Sequence, residues 1–136
     1  MADLTNSMHI SAAGLKVQGE RLRVISENIA NAGSTALTPD QEPYRRKLVT
    51  FGNVLNRELG TNLVEVRKVG RDPSEFDLRY QPGHPAADDN GYVKVSNVNT
   101  LIEMTDMREA QRSYEAHLKV LQAARGMLQR TIDLLR

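Results

Sequence analysis

Apolar residues recur through the first thirty positions in alternating steps of four and three. Leu4, Met8, Ser11, Leu15, Gln18, Leu22, Ile25 and Ile29 form the series, and six of these eight are apolar. This is the a/d spacing of a helix that packs along a seam. Ser11 and Gln18 place polar groups in that seam. Gly14 and Gly19 each weaken a helix by roughly 1 kcal/mol relative to Ala. The pattern therefore predicts a helix too marginal to stand alone in water, one that forms only against a partner.

A second and stronger pattern closes the chain. Thr100-Leu101-Ile102-Glu103 reads as a capping box, with Thr100 at the N-cap and Glu103 at N3. Behind it runs the stripe Met107, Gln111, Tyr114, Leu118, Leu121, Arg125, Leu128, Ile132 and Leu135, widened by Ala110, Ala124 and Met127. Acids come early (Glu103, Asp106, Glu109) and bases late (Arg125, Arg130, Arg136), the order the helix dipole favours. Glu115 and Lys119 form a well-oriented i,i+4 pair. Such a helix of about 36 residues would be about 54 Å long. A globule of this chain length is about 37 Å across. The stripe thus calls for cover from the first helix, from other copies, or from other proteins.

Between the two patterns the period changes. All five prolines (Pro39, Pro43, Pro73, Pro82, Pro85) and five of the six aromatic residues fall there. Strands are predicted at 44–51, 63–69, 76–80 and 92–95, with "QPGHP" and "DDNG" as turns. The fold class is α+β: long N- and C-terminal helices forming a coiled-coil-like pair, with a small β-rich insertion. The boundaries are an N-terminal helical segment at 1–35, a β-rich middle at 36–97 and a C-terminal helix at 98–136.

Composition narrows the function classes. Eighteen basic and seventeen acidic side chains give a net charge of +1, without the clustered basic excess that nucleic acid requires. There are no cysteines, so disulfides and thiolate metal sites are excluded. That suits a chain that travels unfolded into an oxidising space. The first residues lack the basic and apolar regions of a signal peptide, and no stretch reaches the roughly 18 apolar residues of a bilayer span.

Candidate chemistry is sparse. His84, Asp88 and Asp89 fit no ligand spacing and sit in a turn. His9 and His117 lack an i+4 partner for zinc. The run Arg45-Arg46-Lys47 reads as a solvated strand edge or, alternatively, an intersubunit contact. No phosphate-binding glycine loop or nucleophile elbow is present. At the end of the first helix, Asn28 and Asn31 lie one turn apart. Asn31 can cap the helix in the left-handed conformation, with Gly33 beyond it. The pair can also bond a neighbouring chain and fix register. The candidate assembly residues are accordingly Leu4, Met8, Leu15, Leu22, Ile25, Asn28, Ile29, Asn31, Met107, Tyr114, Leu118, Leu121, Leu128, Ile132 and Leu135. Periodicity alone also permits a soluble coiled-coil adaptor or chaperone.

The stretch "SAAGLKVQGERLRVISENIANAGST" resembles the N-terminal signature of bacterial flagellar rod, hook and hook-associated proteins, in which a heptad helix ends in an Asn-apolar-Ala-Asn-Ala run. "PYRRKLVTF" and "YQPGHPAADDNGYVKVSNVNTLIEMTDMREAQRSYEAHLKVL" are similar to proximal-rod members of that family. The chain departs from the family pattern at Gly33-Ser34-Thr35 and at His117. The resemblance implies a structural subunit with no enzymatic activity, no cofactor, no small-molecule substrate and no nucleic acid. It implies export by the flagellar type III apparatus without cleavage, and assembly in the periplasm into a helical, torque-transmitting rod. It also implies terminal segments that order into paired helices on assembly. Its implied partners are other copies of itself, the rod proteins FlgB, FlgF and FlgG, the adaptor FliE, the MS ring and, in transit, the export apparatus.

Overall fold

The structure is a computed structural model that describes residues 2–136. Helix α1 spans Ala2–Ala30 and helix α2 spans Thr100–Leu134. Four strands lie between them: β1 (Lys47–Asn56), β2 (Thr61–Arg71), β3 (Asp77–Tyr80) and β4 (Tyr92–Val95). They form two separate two-stranded sheets, β1–β2 and β3–β4. The architecture is the predicted α+β arrangement of two terminal helices around a small β insertion.

By contacts the chain divides into two compact units. One contains the residues up to Leu22 with Thr50–Lys68 and Arg108–Arg136; the other contains Arg23–Val49 and Val69–Met107. In the second unit β3 and β4 pair antiparallel, Asp77 opposite Val95 and Tyr80 opposite Tyr92. The pleat sends Val93 and Val95 inward, where they are buried with Val24, Ile25, Ala86 and Val98. Tyr80 and Tyr92 meet edge-on on the outer face, ring centroids 5.4 Å apart. The chain leaving α1 runs beside β4 through a bridge between Thr35 and Val95 and a Ser96 N–H to Ser34 carbonyl bond.

In the first unit the helices meet through small side chains. A Cβ on Gly14 would lie 2.6 Å from the His117 imidazole, so a larger residue there would force the ring to shift. Arg21 reaches Glu109 at 3.4 Å. Numbers rise on α1 as they fall on α2, so the two run antiparallel here. Ala110 and Ala124 stand seven residues either side of His117, hence on its face, and both are buried.

Two local expectations change. The N-cap of α2 is Asn99 rather than Thr100: its Oδ1 accepts the N–H groups of Leu101 and Ile102. The amide one position earlier reaches these donors, while Glu103 is drawn inward to other partners. Strand β1 also begins three residues later than predicted. The Arg46 N–H bonds the Asn97 side chain at 2.7 Å, and the Arg46 carbonyl accepts the Asp72 N–H. The backbone there is therefore spent before the ladder starts.

The "DDNG" turn is closed by Asp88, whose carboxylate accepts the N–H groups of Asn90 and Tyr92. Gly91 follows at φ 84°, with Tyr80 2.9 Å and Pro82 3.1 Å from where a Cβ would stand. Gly60 also has a positive φ, 62°, but open space around it. Gly91→Ala therefore combines left-handed strain with a clash and should cost about 2–3 kcal/mol. Gly60→Ala should cost about 1 kcal/mol. Urea denaturation of the two variants checks the ranking.

Candidate functional site

The densest set of polar side chains gathers where α1 ends and α2 begins. Asn28, in the last turn of α1, is 1% exposed. Its Nδ2 donates to the Lys47 carbonyl at 2.9 Å and to Glu103 Oε2 at 3.2 Å. Its Oδ1 accepts the Tyr44 hydroxyl at 2.7 Å and the Lys47 N–H at 2.9 Å. A carboxamide has two donors and two acceptor sites, and all four are used within its own chain. The amide holds both backbone groups of Lys47 as a neighbouring strand would, and an aspartate could not supply the donors.

Glu103, in the first turn of α2, is also 1% exposed. It shares its carboxylate between Asn28 and the Arg46 Nε–H, a charge-assisted contact. Arg46 also meets Asp72 at 3.3 Å and Asp106 at 3.6 Å. One guanidinium thus joins three carboxylates from two separate segments. Burial would depress its pKa, but the hydrogen bonds and charges of Glu103 and Asp72 reverse that and raise it. Burial, with the charges of Glu27 and Glu103, pushes the Tyr44 hydroxyl up to about 12. The Ser74 hydroxyl and amide, aided by Arg46, hold Asp72 below its ordinary 3.8. The Lys47 hydrogen bond holds Glu27 below its ordinary 4.5.

The rest of the basic run is consumed in the same way. Lys47 Nζ reaches Glu27 at 2.5 Å. Arg45 donates to the carbonyls of Asp72 and Ser74 and lies 4.3 Å from the Phe76 ring centroid. Asn97 donates to the same two carbonyls. The run is an internal clamp, neither a solvated edge nor a free contact surface.

Asn31 ends α1 differently from expectation. Its Nδ2 donates back to the Glu27 carbonyl at 2.8 Å and its Oδ1 accepts the Ser34 hydroxyl. No described residue other than Gly60 and Gly91 has a positive φ, so neither Asn31 nor Gly33 makes the left-handed cap. The last carbonyls are taken by turn bonds instead: Asn28 accepts the Asn31 N–H, Ile29 the Ala32 N–H and Asn31 the Ser34 N–H.

The predicted assembly residues separate into groups. Ile25 and Asn28 are buried; Leu4, Met8, Leu15, Leu22, Ile29, Asn31, Met107, Leu121 and Leu128 are half-buried. Tyr114, Leu118, Ile132 and Leu135 are exposed, as are Val120, Met127 and Leu134. An open hollow of about 430 Å³ between α1 and β2, lined by Ala13, Lys16, Val17, Glu20 and Leu63 to Val66, holds no nucleophile–base pair. His84 is a loop staple, accepting the Ala86 N–H and bonding Thr35. Among the described residues no His, Cys, Asp and Glu group could hold a metal, and no helix is long and apolar enough to cross a membrane. Sequence reasoning missed Tyr44, Arg46, Asp72 and the interior role of Glu103, whose only local signal is a carboxylate between Ile102 and Met104.

The family model described as flagellar basal body rod FlgEFG protein C-terminal matches residues 89–134. The chain is 54% identical over 136 residues to the flagellar basal-body rod protein FlgC of Agrobacterium fabrum, covering all of this chain and 98% of that relative. It is 39% identical to FlgC of Salmonella typhimurium, over 96% of this chain and 97% of the relative. To FlgC of Bacillus subtilis it is 35% identical, over 95% and 96% respectively.

Asn28→Ala orphans both Lys47 backbone groups and part of Glu103, and should cost about 3 kcal/mol. Glu109→Ala, which removes an exposed ion pair, should stay within about 0.5 kcal/mol; chemical denaturation of both variants checks the contrast. Stability should also fall at both pH extremes. Asp72 and Glu27 are depressed, so their contribution is complete above their ordinary values and is lost as pH falls through the folded ones. Tyr44 is raised, so its contribution is complete below 10.0 and is lost as pH rises toward about 12. Tyr44→Phe should flatten the alkaline limb, and Asp72→Asn the acid limb, in pH-dependent denaturation.

Proposed function

Because the chain belongs to the family of FlgC flagellar basal-body rod proteins and is a structural subunit of the rod, we propose that it builds the proximal part of that shaft with other rod proteins and further copies of itself. The observation that carries this is the 54% identity along the entire chain. The relatives are structural rod proteins, and the chain is a structural subunit rather than an enzyme. On this reading FlgB, FlgF and FlgG are its rod neighbours, FliE and the MS ring lie at its base, and the export apparatus handles it in transit. On the same reading it is exported uncleaved and assembles in the periplasm.

The physical support comes from α2. Its α1-facing side is built from Ala110, His117 and Ala124, while Tyr114, Leu118 and Ile132 on an adjoining side are exposed. A helix that leaves such a stripe uncovered in the free chain has it available to neighbours. Contacts of this kind that do not close on themselves generate helical filaments. Segments 1–35 and 98–136 then act as assembly helices paired in coiled-coil manner, and 36–97 sets subunit spacing. Asn28 serves assembly indirectly, by fixing where α1 ends; Asn31 shapes the exit.

A strain lacking this chain should be non-motile, its basal bodies ending at the inner ring without a rod. Complementation with Leu118→Glu should restore export but not rods. Complete rods in the deletion strain, seen by electron microscopy, would overturn the reading. Periplasmic appearance only when the export gate is intact separates a rod subunit from a cytoplasmic adaptor.

A further inference from the structure

We propose that the Asn28–Arg46–Glu103 junction keeps the last turns of α1 and the first turns of α2 helical in the free chain, as two stubs from which the rest of each helix grows. The distribution of burial carries this. In the unit holding the junction, Val24, Ile25 and Asn28 of α1 and Glu103 of α2 are each at most 5% exposed, beside the buried Val93, Val95 and Val98. In the other unit, the fully buried residues of the long remainders are Ser11, Gly14, Val17, Ala110 and Ala124, of which only Val17 has a large apolar side chain, and Leu4, Met8, Leu15, Leu22, Leu121 and Leu128 are only half-buried. The ion pair there, Arg21 to Glu109, has its carboxylate 67% exposed and contributes little. Val120, Met127, Ile132, Leu134 and Leu135 stand in water. Local stability follows burial and satisfied polar groups, so each helix is firm at its junction end and weak at its chain-terminal end.

The consequence is kinetic as well as energetic. Starting a helix is disfavoured by a factor of roughly 10³, whereas adding residues to an existing one is near neutral or favourable. A stub removes the nucleation step. Growth of the helices upon assembly rests on the rod reading; the stubs in the free chain do not.

Hydrogen exchange on the full chain, held dilute and monomeric, tests the stubs. Amides 24–30 and 103–107 should exchange at least roughly tenfold more slowly than amides 5–20 and 112–130. In Glu103→Gln both stubs should lose roughly tenfold in protection while the β4 amides keep theirs. If that variant unfolds β4 as well, Tyr44→Phe, which removes a single bond to Asn28, should show the same selective loss. Uniform protection along both helices would overturn the proposal. So would stubs that exchange as fast as the outer segments, or stubs that keep their protection in both variants. None of these readings depends on whether the chain enters a rod.

Discussion

A single buried carboxamide, Asn28, determines how the end of α1 is tied to the segment that enters β1. Its four hydrogen bonds reach the backbone of Lys47, the Tyr44 hydroxyl and the Glu103 carboxylate. Glu103 is admitted to the interior because Arg46 and Asn28 satisfy it, and Arg46 in turn draws in Asp72 and Asp106. A buried charge is tolerable only with such company. The set therefore behaves as one device: removal of a member leaves the others desolvated and unpaired, so helix ends and strand base stand or fall together.

The helices obey a different economy. Where α1 meets α2, the fully buried positions are glycine, serine, alanine and a single valine, with a histidine ring seated against Gly14 and the leucines only half-buried. Of the large side chains of α2, Leu121 and Leu128 are half-buried, while Tyr114, Leu118, Ile132 and Leu135 are exposed. A chain optimised to be a private helix pair would place leucines at 110, 117 and 124. This one has Ala110, His117 and Ala124 there, with Leu121 and Leu128 half-buried and Leu118 and Leu135 exposed. On the proposed rod reading, the exposed apolar surface is what neighbouring subunits cover.

Much of the architecture was legible because it is periodic. The heptad steps from Leu4 to Ile29 and from Met107 to Leu135 located both helices, and the turn signals "QPGHP" and "DDNG" marked off β3 and β4. The junction was not legible because its partners are brought together from distant parts of the chain: Asn28 with Lys47 and Glu103, Arg46 with Asp72 and Asp106. The run Arg45-Arg46-Lys47 looked like solvent-facing charge, and only the fold supplies the acids and carbonyls that absorb it. Asn31 and Gly33 suggested a left-handed cap from local preference, yet turn bonds from the Asn31, Ala32 and Ser34 N–H groups satisfy the last carbonyls without one. Glu103 was mistaken for half of a capping box because its charge-assisted partner lies on another element.

Density for an intact basal body, traced to the level of side chains, tests the central claim most directly. The account predicts this chain in the wall of the rod, with Tyr114, Leu118 and Ile132 packed against neighbouring subunits and Asn28 still bonded to Lys47, Tyr44 and Glu103 of its own chain. A rod from which the chain is absent would contradict it. So would one in which that face of α2 remains in water, or in which Asn28 has exchanged its internal partners for a neighbour's.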